Sequence, residues 1–329
     1  MNWFTLTVEE QQIILRRVAI TTGISEAAIE KDIYVCWCLQ QLFSLPEGSP
    51  SLVFKGGTSL SKVFGAIGRF SEDIDITLNQ RFFLGDTDVF SPGLSKKKTR
   101  DILEQLDAAV DQFAIETLIP LLQERCVSLS DEWVIERGKF QTVLVRYPTV
   151  TGDGSYLSKA VAIELGARNV LEPIETHLVR PYAAEHFPAI SFPDAPAVSV
   201  LSPVRTFWEK ATILHAEYHR PEPRAAERIA RHWYDTAMLA QHSIKERALA
   251  DLAMLEMVAN YKDRIYPSGW ASYATARAKT LRLVPHAALH DLLKADYDDM
   301  VRAGFFFSTP LTWEEIIAVL QRLEQEINQ

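Results

Sequence analysis

VFKGGTSLSKVFGAIGRFSEDIDITL, residues 53 to 78, joins a glycine pair and two small hydroxyls (Gly56, Gly57, Thr58 and Ser59) to two acids one residue apart, Asp73 and Asp75. Ile74, Ile76 and Leu78 alternate with and follow the acids. Side chains of a strand point to opposite faces with period two, so the alternation predicts a strand over 73–78. Asp73 and Asp75 then share one face, while the three apolar residues enter a core. Carboxylates held side by side repel unless a cation lies between them. A hard, oxygen-seeking cation such as Mg²⁺, carrying a substrate's phosphates, resolves that conflict.

Outward from this stretch, SLVFKG before the glycines reads as a short strand, and GTSLSKVFG opens a helix directly after them. Two helices are predicted over residues 6–45, the first with Thr7 as N-cap and Glu10 three residues on, the second capped at Ser25. Lys98 to Leu122 is helical in period, with Leu103, Leu106, Val110, Phe113 and Leu118 on one face. TVLVRYP (142–148) and AVAIELGAR (160–168) read as strands flanking the turn-like TVTGDGSY. Proline-bearing loops are expected over 173–203. From Pro203, well placed in a first helical turn, the pattern is almost purely helical to the end. The expected fold is α+β, a small mixed sheet flanked by helices over 1–200 followed by an all-helical domain over 201–329.

The bulk numbers narrow the function classes. The chain has 329 residues, 47% hydrophobic and 23% charged, as in ordinary globular proteins. Its N-terminus carries acids and no apolar signal core, and no apolar run reaches about 18 residues, so neither secretion nor a membrane span is expected. Cys36, Cys38 and Cys126 make no disulfide or metal framework and read as reduced core thiols, which fits the cytoplasm. A net charge of −9 argues against a broad, sequence-blind grip on DNA while leaving room for a local basic site. The densest basic run, Lys96, Lys97, Lys98 and Arg100, reads either as such a site or as a solvated helix start.

Asp73 and Asp75 suit nucleotidyl transfer, in which metal ions on the attacking and leaving oxygens bring a nucleoside triphosphate and an acceptor hydroxyl in line. A third acid would complete the set. Glu164 in VAIEL (161–165), flanked by Ile163 and Leu165, is the nominee; alone, it would read as a surface acid on a half-exposed strand. Gly56 and Gly57 let the backbone approach a phosphate, and Thr58 and Ser59 near a helix N-terminus supply hydroxyls to its oxygens. The order strand, Gly-Gly-Thr-Ser, helix, Asp-x-Asp strand carries more than any one of its parts.

With those residues in place, the sequence resembles the nucleotidyltransferase toxins of the AbiEii type, within the DNA-polymerase-beta-like nucleotidyltransferase superfamily. The matching residues are Gly56, Gly57, Thr58 and Ser59, then Arg69, Ser71, Asp73 and Asp75, with Glu164 where many relatives have Asp. Likeness continues in Ile29 to Asp32, in FWEK (207–210), in RHWYD (231–235), in KADYDDM (294–300) and in the last helix from Leu323 to Asn328. The resemblance implies a two-Mg²⁺ enzyme using an NTP, a cognate antitoxin, a role in phage defence or growth arrest, and in some relatives a tRNA 3′ end as acceptor. It also implies that Lys210 and Asp235 are needed.

Lys210 can be read as a point charge for the triphosphate, or as a surface lysine whose stem covers apolar area. Asp235 would orient Lys210 or form an ordinary surface ion pair, and Arg231 is a phosphate candidate. His232 reads as a bystander, and Trp208, Trp233 and Tyr234 as core. Two other readings of the acids remain. One is an Asp-x-Asp glycosyltransferase holding a metal-bound nucleotide sugar; the other is a non-catalytic nucleotide- or protein-binding module. An EF-hand loop is excluded, since the run from Asp73 lacks the glycine at its sixth position and the glutamate at its twelfth.

Overall fold

The computed structural model describes residues 1–87, 89–91, 93–152, 159–222, 228–304 and 306–329, so most of the turn-like segment after Thr149 lies outside the described residues. The chain divides into two compact units, Met1–Val63 with Phe70–Leu201, and Phe64–Arg69 with Ser202–Gln329. Linear reading places a boundary near residue 200 but gives no sign that Phe64–Arg69 belongs with the helical half. Those six residues join it through a Phe307 N–H donated to the Gly68 carbonyl at 3.1 Å and a bridge between Arg69 and Phe306.

In the first unit, helices α1 (Val8–Thr22) and α2 (Glu26–Leu42) precede strand β1 (Leu52–Lys55) and helix α3 (Gly56–Lys62). Strand β2 (Ile74–Leu78) and helices α4 (Gln80–Leu84), α5 (Lys96–Phe113) and α6 (Ile119–Val127) follow. Strands β3 (Val134–Arg137), β4 (Thr142–Arg146), β5 (Ala160–Gly166) and β6 (Ile174–Val179), helix α7 (Tyr182–His186) and strand β7 (Ala195–Leu201) complete it. Local chemistry explains the helix starts. The Thr7 hydroxyl accepts the Glu10 N–H while the Glu10 carboxylate accepts the Thr7 N–H, and Ser25 caps α2 through the Ala28 N–H. Between α5 and α6, Ala114–Leu118 widens into a π turn; Pro120 has no N–H to donate to the Glu116 carbonyl, so regular helix cannot run through.

The seven strands form one mixed sheet in the order β3-β4-β5-β2-β1-β7-β6, with β1 parallel to β7 and β2 parallel to β5. The mixed sheet flanked by helices is as expected, but the loops expected over 173–203 contain β6 and β7, and β7 is an interior strand beside β1. Its sequence, APAVSVL, carries Pro196, and β6 is an edge strand that leaves Ile174 and Leu178 exposed with Glu175 and His177 half-buried, so neither shows a clean apolar alternation. Trp3, Ile14, Leu15, Ile29, Ile33 and Phe192 form a core cluster, with Trp3 stacked on Phe192 at 5.6 Å. Cys36 and Cys38 are buried free thiols whose ionisation is pushed well above the usual range by burial. Lys96, Lys97 and Lys98 lie exposed at the start of α5, which Ser95 caps through the Lys98 N–H.

The second unit is built of α8 (Pro203–Tyr218), α9 (Arg231–Leu239), α10 (Ile244–Leu249), α11 (Leu252–Ile265), α12 (Ala287–Arg302) and α13 (Trp313–Asn328). Trp208, Trp233, Tyr234 and Trp313 are buried in its core, and the Trp233 indole donates to the Leu283 carbonyl at 3.1 Å. No helix of the described residues is long and apolar enough to cross a membrane.

His215 on α8 ties this unit's irregular segments together. Its Nδ1 accepts the Arg282 N–H at 3.0 Å and its Nε2 faces the Ser272 carbonyl at 3.1 Å. Burial, only partly offset by the Ser272 carbonyl, lowers its pKa from 6.5 to about 4. The unfolded chain therefore takes the proton first as pH falls. The stability His215 contributes is intact above its unfolded pKa of about 6.5 and is lost between there and pH 4, by about 3 kcal/mol if the whole shift is expressed. Urea unfolding at neutral and mildly acidic pH should show a smaller acid loss in His215→Gln than in the natural protein; equal losses would remove His215 from the account.

Candidate active site

The site is built from a strand pair, a glycine and a helix start. From Ser71 to Ile76 burial alternates residue by residue: Glu72, Ile74 and Ile76 are buried, while Ser71, Asp73 and Asp75 are partly open. The hydrogen-bonded strand begins at Ile74, one residue later than expected, but the alternation reaches back through Asp73. On β5 the same pattern holds, with Ile163 and Leu165 buried and Glu164 exposed between them. Strands β2 and β5 run parallel with Asp75 in register with Glu164. Residues in register on neighbouring strands share a sheet face. Lys55 pairs with Asp75 on the other side and Thr142 with Glu164, so one row across four strands reads Lys55, Asp75, Glu164, Thr142. Glu164, an isolated acid in the linear reading, is thereby set beside the acidic pair.

Gly56 explains the glycine requirement. It turns the chain from β1 into α3 with φ of 79°, a conformation that L side chains rarely adopt. A Cβ built there would lie 1.9 Å from Asp75 Oδ2 and 2.7 Å from its Cγ, so the carboxylate rests against the bare backbone of the turn. Gly56→Ala is expected to cost about 1–2 kcal/mol through backbone strain and, by displacing Asp75, to lower whatever turnover the site supports. Thermal midpoint and turnover measured on the same preparation check this; unchanged turnover would separate the turn from the carboxylate.

Thr58 and Ser59 require a correction. Both were expected to offer hydroxyls to a phosphate, yet Thr58 is 2% exposed and Ser59 wholly buried. The Thr58 hydroxyl lies 2.5 Å from the Asp73 carbonyl and 2.9 Å from Ser71 Oγ, and Ser59 Oγ donates to the Gly56 carbonyl at 3.0 Å. The hydroxyls knit α3 to the acidic segment instead. What α3 leaves for a phosphate is the backbone at Gly56 and Gly57, both partly open.

Asp73, Asp75 and Glu164 are all oxygen donors of the kind a hard divalent cation takes, and register and alternation put them on accessible backbone positions. Among the described residues, no three His, Cys, Asp or Glu side chains are already gathered about a point that would hold a metal ion. The donor chemistry fits such a cation; drawing the three carboxylates onto one requires side-chain rotation, which their partial exposure permits.

In the helical unit, Asp235 on α9 is wholly buried between two cations. Arg69 Nε and Nη2 donate to its two oxygens at 2.7 and 2.8 Å, and Lys210 Nζ reaches Oδ2 at 2.8 Å. Burial by itself would raise the Asp235 pKa, but Arg69 and then Lys210 outweigh it and hold the carboxyl well below the usual range. Lys210 is lowered by burial, against the pull of Asp235, with Arg69 adding to the lowering. Asp235 thus pairs with Lys210, one of the two readings open from the sequence, and the pair lies in the interior rather than at the surface. Arg69 is the member that site reading from the sequence left out. Its only signal was its place in the family-like run before Ser71. Burial, with Lys210 and Arg231 nearby, lowers the pKa of His232, one turn before Asp235, well below the usual histidine value.

A family model described as nucleotidyl transferase AbiEii toxin, type IV TA system, matches residues 37–319. The chain belongs to the AbiEii family. It is therefore a nucleotidyltransferase toxin of a type IV toxin–antitoxin system, and the glycosyltransferase and non-catalytic readings of the acids fall away. Among solved structures it is similar to MenT4, a nucleotidyltransferase toxin from Mycobacterium tuberculosis H37Rv, at 17% identity over 98% of each chain and a TM-score of 0.45. No match was found among curated proteins. Nucleotidyltransferases of this kind generally use divalent metals and an NTP, and membership in the family implies an antitoxin partner.

Proposed function

We propose that this toxin moves a nucleoside monophosphate from an NTP to the hydroxyl of an RNA end, tRNA being the favoured acceptor, in a metal-dependent reaction in the cytoplasm. The observation that carries the reading is the register of Asp75 with Glu164 beside Asp73, which lines three carboxylates along one face of β2 and β5. Divalent cations held by Asp73, Asp75 and Glu164, two in the arrangement expected of the superfamily, would lower the pKa of the acceptor hydroxyl and carry the charge of departing pyrophosphate. The acceptor oxygen forms its bond to the α-phosphorus as the bond to the β-phosphate's bridging oxygen breaks. Backbone N–H groups at Gly56 and Gly57 receive phosphate oxygens at the start of α3. On the helical unit, Lys210 and Arg231 are the proposed phosphate-binding cations, with Asp235 holding Lys210 in its orientation. In the cell this chemistry would arrest growth or block phage until the cognate antitoxin is present.

Incubating the protein with Mg²⁺, total bacterial RNA and each α-³²P-labelled NTP in turn tests the reading. Label on an RNA band names nucleotide and acceptor together. Label on the protein or on a small molecule keeps the chemistry and moves the acceptor. Transfer that persists undiminished in excess EDTA would remove the metal from the mechanism.

A further inference from the structure

Helix α2 is buried without interruption from Ala28 to Leu39, and three charged residues, Glu30, Lys31 and Asp32, sit in succession inside that run. A helix buried on all sides is ordinarily apolar all round, so three consecutive charges there are costly unless each has a partner. Each does, on a different segment. Glu30 accepts the Val150 N–H at 2.7 Å and the Thr149 hydroxyl at 2.7 Å. Lys31 Nζ lies 2.6 Å from Glu72 Oε2, both side chains being almost wholly buried. Asp32 Oδ1 lies 2.6 Å from Lys62 Nζ, its Oδ2 accepts the Tyr182 N–H at 2.7 Å, and Lys62 sits 4.0 Å over the Tyr182 ring.

Two of those partners flank the candidate active site. Lys62 ends the helix that begins at Gly56, and Glu72 immediately precedes Asp73. Helix α2 thus holds α3 by its last turn and the acidic segment by the residue next to its first carboxylate, while Thr58 ties the two to each other through the Asp73 carbonyl. Alternation makes the Glu72 contact directional. With Glu72 drawn inward to Lys31, the following side chain, Asp73, must face outward toward Asp75's side. A pair of well-packed apolar residues would fill the same space at equal or lower free-energy cost. What the ion pair adds is a fixed aim for the neighbouring backbone.

We propose that Lys31 and Glu72 are positioning residues for the nucleotidyl-transfer site, their buried ion pair setting the direction in which Asp73 presents its carboxylate to a divalent cation. This rests on the reading of Asp73 as a metal-binding carboxylate. Neither residue touches substrate.

The test replaces both charges with apolar groups of similar size, Lys31→Met with Glu72→Leu, and beside it makes Glu72→Gln alone, which keeps the side-chain shape. Each protein is assayed well below its own melting midpoint, for kcat and KM with NTP and for Mn²⁺ affinity by electron paramagnetic resonance. The double variant should melt near the natural protein, since an apolar pair replaces the ion pair without leaving a lone charge. Its kcat should fall by about tenfold to a hundredfold, the scale that a misplacement of about 1 Å produces, with KM for NTP little changed. Mn²⁺ should bind severalfold more weakly. If the double variant does not fold, Glu72→Gln carries the same expectations for kcat and Mn²⁺ in its folded fraction.

Natural kcat and natural Mn²⁺ affinity in either folded variant would show the pair to be structural only and overturn the proposal. Failure of the natural protein to transfer nucleotide while still binding Mn²⁺ would count against the proposed reaction, and the Mn²⁺ comparison would still decide the role of Lys31 and Glu72. A natural protein that binds no Mn²⁺ would overturn both.

Discussion

Replacing Asp73 with alanine is expected to reduce nucleotidyl transfer to background while the fold survives. Asp73 is partly open and stands just before β2, so its removal takes no hydrogen-bonded strand residue and opens no core cavity. Substitutions at such positions usually change stability by no more than about 0.5 kcal/mol. The effect on chemistry is of another size. Removing one group that stabilises developing charge commonly costs about a hundredfold to a thousandfold in kcat, and a carboxylate shared by the metal-binding set should exceed that. Excess Mg²⁺ should restore little of the loss, because the donor is absent rather than weakened. Turnover of labelled NTP, measured with a thermal melt on the same sample, checks both halves. An Asp73→Ala protein that melts normally and transfers normally would end the assignment of the acidic strand as the site.

Asp235→Ala is expected to have the largest effect on stability. The carboxylate is wholly buried and receives Arg69 through two parallel contacts and Lys210 through a third. Deleting it leaves two buried cations facing each other without their shared counter-charge. Breaking a buried pair by removing one partner costs about 3–5 kcal/mol, and two stranded cations place this case at the upper end. In a protein of this size each kcal/mol moves the melting midpoint by about 2–4 °C, so a loss near 10 °C is expected. Asp235→Asn keeps the shape but not the charge and should fall between the two. The sign of its pH dependence follows from the lowered carboxyl. Folded Asp235 ionises more easily than unfolded, so its contribution is complete above the ordinary carboxylate range and is lost only as pH falls below it. A drop in midpoint of less than about 1 °C in Asp235→Ala would mean that Arg69 and Lys210 find other partners at no cost, against the buried-pair rule. Because Asp235 makes no contact outside the protein interior, loss of transfer in this variant must be read together with its midpoint.

The two cases differ in how much of each was visible beforehand. Asp73 and Asp75 announce themselves locally: two acids alternating with Ile74 and Ile76 are legible from four residues. Asp235 and Lys210 are not, since an acid and a lysine on separate helices pair or remain apart according to helix packing. Arg69 was harder still. It lies four residues before Asp73 in the chain, yet its guanidinium is committed to the helical unit. Thr58 and Ser59 show the opposite error. A hydroxyl beside a glycine turn looks available to a phosphate, but both side chains are on the buried side of α3 and bond to the protein.

By itself, the sequence determined what periodicity and short-range hydrogen bonding can specify. That includes the strands around the acids, the capped starts of α1 and α2, and the mostly helical character of the chain after Pro203. These depend on contacts within a turn or two of the chain. Tertiary structure alone decided which of those elements meet. The parallel pairing of β2 with β5 set Glu164 beside Asp75, β7 was recruited to the sheet from a proline-marked segment, and Phe64–Arg69 was given to the helical unit. It also chose partners for Glu30, Lys31 and Asp32. A residue pattern records which side of an element is buried, because burial shapes composition locally. It holds no record of what lies across the interface, because that contact joins residues far apart in the chain and is settled only when the core closes.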